Sequence, residues 1–156
     1  PVADKNRDRW GTIRPLLARA DLRAGRAELE AATAHFEEVL ALRRLSPLFR
    51  LRTAADIQAR LSFPVPSGQQ PGVITLQLSD EVAGQPDLDP ALKTIVVIFN
   101  ATKSEQKVKG DAWKNAGYAL APPQAASADA RVRAARYEAG SGQFVVPART
   151  TAVFVR

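Results

Sequence analysis

The 156-residue sequence has no cysteine and no methionine, and it holds a single histidine. Without cysteine there can be no disulfide, no thiolate nucleophile, no thiol redox chemistry and no cysteine-ligated zinc. One histidine cannot supply the several convergent ligands of a histidine metal site. Aromatics are sparse, at 6% of residues. Apolar runs are only a few residues long, far short of the ~20 needed for a membrane-spanning helix, so no membrane partner is expected. No stretch resembles a signal peptide. A Gly-rich phosphate loop is also missing, because Gly140-Ser141-Gly142 precedes neither a helix nor a lysine and reads as a hairpin turn. The chain lacks an initiator Met and begins abruptly at Pro1-Val2-Ala3, which gives the expectation of a fragment cut from a longer protein.

What is present is basic. The formal charge is +6, carried by 22 Lys and Arg against 16 Asp and Glu. A nucleic-acid binder gathers its cations on one face with aromatics among them. Here the densest groups, Arg43-Arg44 and Arg131-Val132-Arg133, have no aromatic neighbours, and the rest are scattered. No nucleic-acid partner is expected on that distribution.

The first third reads as helical. A charged lead-in, Asp4-Lys5-Asn6-Arg7-Asp8-Arg9, ends at Trp10, and Pro15 suits the first turn of a short helix over residues 11–18. After a loop at 21–25, a long amphipathic helix is predicted over 26–45. Leu29, Ala32, Phe36, Val39, Leu40 and Arg43 recur at three- and four-residue spacing and form one stripe. Pro47 forces Ser46 out of the helical region and ends that helix near Leu45. Leu48, Phe49 and Leu51 follow at once, as a plug seating the helix end on a β-rich core. On that expectation Phe49→Ala would remove roughly 3–5 kcal/mol.

Beyond the plug, Thr53-Ala54-Ala55-Asp56 matches a capping box for a short helix to Arg60. Leu61-Ser62-Phe63 is a first strand, stopped by Pro64-Val65-Pro66-Ser67-Gly68. In residues 73–78, Ile74, Leu76 and Leu78 share one face while Thr75 and Gln77 take the other. Thr94-Ile95-Val96-Val97-Ile98-Phe99-Asn100 is apolar on both faces, as in a central strand covered on both sides. Residues 105–109 read as an exposed edge strand. Residues 118–120, 132–137, 143–146 and 151–155 complete the set. About seven or eight short strands after a helical segment, with no alternating helices, give a mainly β fold, an antiparallel β-sandwich. The helical segment is assigned to residues 1–52 and the sandwich to 53–156.

Candidate chemistry is thin. His35 lies inside the long helix with no nucleophile elbow nearby and reads as a solvated or partly packed residue. The acidic loop with Asp80, Glu81, Asp87 and Asp89 lacks the ligand spacing and central Gly of a calcium hand, so it reads as a solvated loop. Glu37 and Glu38 are adjacent on a helix and point to different faces. Trp10, Trp113 and Tyr118 are the rings able to stack on a sugar, although large aromatics are more often packed. An autonomous carbohydrate-binding module built on Trp113 or Tyr118 remains an alternative to a structural domain. No catalytic, cofactor-binding or metal-binding residue is assigned.

The run Phe36-Glu37-Glu38-Val39-Leu40-Ala41-Leu42-Arg43-Arg44-Leu45-Ser46-Pro47-Leu48-Phe49-Arg50-Leu51 resembles the end of the catalytic barrel in pullulanase-type debranching enzymes. These are α-1,6-glucosidases of the α-amylase superfamily. Leu88-Asp89-Pro90, Ile95-Val96-Val97-Ile98-Phe99-Asn100-Ala101 and Val146-Pro147-Ala148-Arg149-Thr150-Thr151-Ala152-Val153-Phe154-Val155 are similar to the C-terminal β-sandwich of the same family, in the same order. The lead-in with Trp10 and Pro15 is similar to the segment before the last barrel helix. The resemblance implies a parent that hydrolyses α-1,6 branch linkages with retention, using an Asp nucleophile, a Glu acid/base and a second Asp on barrel strands outside this sequence. Asn6-Arg7 lies downstream of the family's Asn-Arg loop and takes no role from it. The resemblance therefore implies a non-catalytic accessory domain whose partner is the parent's catalytic barrel. Cut from that barrel, the helix would expose its stripe, pack it differently or dimerise through it, so self-association or low solubility is expected of the isolated chain.

Overall fold

The computed structural model describes residues 3–65, 68 and 70–156. Its contacts fall into two compact units, Pro1–Ala34 and His35–Arg156.

In the first unit, a 3-10 segment (Ala3–Arg9), kinked at Asn6, runs straight into helix α1 (Trp10–Ala18). A 3-10 turn (Ala20–Leu22) then leads to the opening turns of helix α2 (Arg26–Leu45). Pro15 thus lies inside α1 and not in its first turn. The charged lead-in is itself helical, so α1 starts at Trp10 and the proline forfeits one i→i−4 bond. The Arg14 guanidinium lies 5.0 Å from the Trp10 ring centroid. None of residues 5–34 is buried, and Leu16, Leu17, Leu22 and Leu29 are exposed.

The second unit holds the core. Helix α2 ends as the proline dictates: Ser46 is extended (φ −143°, ψ 144°) and its hydroxyl accepts from the Leu48 amide, opening a 3-10 turn over Pro47–Arg50. Helix α3 (Ala54–Arg60) starts on the expected box, with the Thr53 hydroxyl accepting from the Asp56 amide at 3.0 Å and donating to its carboxylate at 2.6 Å. Strands β1 (Leu61–Ser62), β2 (Val73–Ser79), β3 (Thr94–Asn100) and β4 (Gln106–Lys109) follow. Of the stop between β1 and β2, Pro66 and Ser67 lie outside the described residues. Strand β5 (Ala119–Leu120) precedes two short helices, α4 (Pro122–Ala125) and α5 (Ala130–Arg133). Strands β6 (Arg136–Glu138), β7 (Gln143–Val146) and β8 (Thr150–Val155) end the chain. The strand expected over 132–137 is therefore helical in its first part. The Asp129 carboxylate caps the Arg131 amide, and this one turn outcompetes an extended start.

All strand pairs are antiparallel, in a five-stranded sheet β1-β2-β3-β8-β5 and a three-stranded sheet β4-β7-β6. Alternation along β3 and β8 divides the apolar residues between two clusters. Val96, Ile98, Ala152 and Phe154 point between the sheets and meet Val108, Phe144 and Val146 of the smaller one. Phe144 is the hub of that core, with the rings of Trp113, Tyr118, Tyr137 and Phe154 centred 4.6–5.2 Å away. Ile95, Val97, Val153 and Val155 point outward and are covered by Leu42 and Leu48. The plug is thus seated, with Leu48 1% exposed, but Phe49 is only half-buried. The large loss expected of Phe49→Ala therefore passes to Leu48, whose side chain is the one enclosed.

Asn100 stitches the two sheets at their end. Its amide nitrogen donates to the carbonyls of Ser104, Val146 and Pro147, and its oxygen accepts from the Thr102 amide and hydroxyl.

Candidate functional site

The rings expected to offer a sugar platform do not face solvent. Trp113 and Tyr118 are 4% and 8% exposed, both inside the inter-sheet core. The Trp113 indole donates to the Gln77 side chain, and Tyr118 packs edge-on to Phe144 and Tyr137. Filling the space between the sheets requires large rings, and these supply it. That removes the basis for an α-glucan module built on either residue. Trp10 is half-buried in the first unit. His35 is exposed on α2, as expected.

The acidic loop after β2 departs from its solvated expectation. Asp80 and Asp89 are 0% and 3% exposed. The Asp80 carboxylate accepts from the Arg60 guanidinium at 2.6 Å and from the amides of Leu88 and Asp89. Arg60 itself is buried at the end of α3 and donates further to the Asp80 and Pro86 carbonyls. Asp89 takes the Ser46 hydroxyl on one oxygen at 2.5 Å and the amides of Ala91 and Leu92 on the other. Burial pushes the Asp89 carboxyl up, but the Ser46, Ala91 and Leu92 donors and the Lys93 charge outweigh it and hold the group below the usual carboxylate range. Ser46, Asp89, Asp80 and Arg60 thus form one buried polar chain tying the ends of α2 and α3 to the loop. Each carboxylate oxygen in it already accepts at least one hydrogen bond. Glu81 and Asp87 are the exposed members of the loop, paired with Arg156 and Lys93. Among the described residues no group of three or more His, Asp or Glu is placed to hold a metal.

The surface left open is the outer face of the five-stranded sheet. Within the second unit, a groove of about 620 Å³ runs between the later turns of α2 and that face. Its floor is Leu42, Phe49, Val97, Phe99 and Val153, and its rim carries His35, Arg43, Arg131 and Arg149. A second hollow of about 370 Å³, lined by apolar side chains such as Leu51, Ile57 and Leu76, meets it at Phe49, Val97 and Phe99. Ile57, Ile74 and Phe99 are exposed on this side, and Phe36, Val39 and Leu40 are exposed on α2. Gln124 closes the edge of β8 beyond β5, its side chain donating to the Thr151 carbonyl and accepting from the Val153 amide. Sequence periodicity marked the α2 stripe; it gave no signal for Arg60 or Gln124, whose partners lie 20 to 29 residues away.

Comparison with known proteins agrees with this architecture. The family profile described as alpha-1,6-glucosidases, pullulanase-type, C-terminal, matches residues 1–156. The chain is 39% identical over 159 aligned residues to pullulanase 1, chloroplastic, of Arabidopsis thaliana, covering 99% of this chain and 16% of that protein. Among solved structures, the maltotriose complex of PulA from Klebsiella pneumoniae superposes with a TM-score of 0.71 at 28% identity, over 84% of this chain and 14% of that one. PulA from Klebsiella oxytoca gives 0.72 at 28% identity, over 85% and 12%. The chain therefore spans less than a fifth of the length of the relatives it matches. By profile, sequence and fold, it belongs to the pullulanase-type alpha-1,6-glucosidases, as their C-terminal region.

Proposed function

We propose that this chain is the non-catalytic C-terminal part of a starch-debranching glycoside hydrolase, and that it supports the catalytic barrel of a parent that cleaves α-1,6-glucosidic linkages. Residues 1–52 are the end of that barrel and 53–156 the accessory sandwich. One observation carries this reading. Residues 5–34 are largely helical yet bury no side chain, while residues 35–156 enclose two apolar clusters. A segment that folds without a core of its own is built to complete someone else's, because helices this short draw their stability from packing. Within the second unit, Phe36 on α2 is also 63% exposed.

The test is Phe36→Asp, introduced both in this chain and in the full-length enzyme. In the isolated chain the site is open, so stability should stay within about 0.5 kcal/mol of the parent. In the full-length enzyme the same charge would be buried unpaired, and thermal melting should show a loss of ~2 kcal/mol or more. Equal effects in the two settings would overturn the proposal. So would release of reducing sugar from pullulan by the chain alone.

A further inference from the structure

We propose that the groove between α2 and the outer face of the five-stranded sheet seats an apolar segment flanked by carboxylates, contributed by the part of the parent polypeptide outside residues 1–156. The proposal rests on the reading above and names the chemistry of the contact. Volume and floor suit a row of side chains: about 620 Å³ over Leu42, Val97, Val153 and Phe99, the last 40% exposed. The rim is one-sided in charge. It carries the guanidiniums of Arg43, Arg131 and Arg149 against one carboxylate, Asp129, which is already bound to Arg131 at 2.9 Å.

Arg43 on α2 and Arg149 before β8 make no ion pair among the described residues. Arg149 is also held in the left-handed region, at φ 52°, with its amide donating to the Thr102 carbonyl. A non-glycine residue in that region is disfavoured, and such strain persists where the surrounding structure imposes it. Here it displays a free guanidinium at the groove. Guanidinium forks match carboxylates bidentately and strengthen as water leaves. The adjoining hollow has an apolar lining, so the apolar side chains run toward Phe49 and Leu76 while the carboxylates stay at the Arg43 and Arg149 rim.

The experiment uses the full-length enzyme carrying Arg149→Lys, treated with a carbodiimide that joins amines to carboxylates without a spacer, followed by mass spectrometry of the digest. A cross-link from position 149 to an Asp or Glu outside residues 1–156 of the same polypeptide is the expected result. A link to a second copy, or to residues within 35–156 only, would overturn the proposal.

A parallel measurement places a thiol at the floor with Phe99→Cys, or at the α2 wall with Val39→Cys, in a background without other reactive thiols. Labelling in the full-length enzyme should be slow, and should speed up about tenfold when Arg43→Glu and Arg149→Glu are added, as expected for loss of close charge pairs. Labelling that stays slow despite the charge reversals would leave the supporting role standing and overturn the carboxylate assignment. Labelling as fast as in the isolated chain shows an empty groove and overturns the proposal. The supporting role is read independently, from Phe36→Asp.

Discussion

At the scale of single residues, the polar chain from Ser46 to Arg60 decides where the end of α2 is fixed. The Asp89 carboxyl is held below its ordinary value, so the unfolded chain binds its proton more readily than the folded one. The stabilisation it provides is complete above the unfolded value of about 4 and is lost as pH falls through the folded value. We expect Asp89→Asn to lower stability at neutral pH and to flatten the acid limb of a melting-temperature profile below about pH 4. Profiles that run parallel down to acid would show that Asp89 does not contribute this way. The plug gives a second residue-level expectation. Leu48 is 1% exposed, and Leu48→Ala should remove roughly 2–5 kcal/mol by transfer and cavity terms. Phe49 borders both hollows and is only half-buried, so Phe49→Ala should remove less, about 1–2 kcal/mol. Chemical denaturation of the two variants ranks them, and the opposite order would displace Leu48 as the anchor.

At the scale of elements, the turn between β6 and β7 rests on a single glycine. Gly142 sits at φ 62°, and a Cβ there would lie 2.5 Å from the Gly110 carbonyl oxygen and 2.7 Å from the Lys114 amide. Gly142→Ala should therefore destabilise by about 2–3 kcal/mol, while Gly140→Ala, with open space around it, should stay within about 0.5 kcal/mol. Comparable melts for both would mean that the backbone at Gly142 gives way easily. The turn itself was legible in the sequence, as were α2, the stop at Pro47, the cap of α3 and the central strand β3. Each of these is written in periodicity or in adjacent residues. Helix α5 was not, because one turn is too short to show a period and Arg131-Val132-Arg133 alternates like a strand. The partnership of Arg60 with Asp80 was hidden for another reason. The two are 20 residues apart, and Asp80 stands beside the exposed Glu81, so nothing local separates the buried carboxylate from the solvated one. The rings of Trp113 and Tyr118 were ambiguous because an aromatic that fills a core and one that stacks on a ligand have the same local sequence.

At the scale of the whole molecule, the distribution of apolar surface separates what the chain completes from what it leaves open. The space between the sheets is filled, with Phe144, Phe154, Val96 and Ile98 fully enclosed. In contrast, Leu16, Leu17 and Leu22 in the first unit, and Phe36 on α2, each keep about half or more of their surface in water. Exposed apolar side chains on an isolated chain favour association, since covering them gains roughly 25 cal/mol per Å². The +6 charge opposes contact between copies, and added salt screens it, with a Debye length near 10 Å at 0.1 M and about 3 Å at 1 M. We expect the isolated chain to self-associate at high concentration, more strongly as salt rises, and to bind a hydrophobic dye. The full-length enzyme should do neither to the same degree. Light scattering that shows a monomer across concentration and salt, with no dye binding, would mean the exposed stripe is too small to drive association.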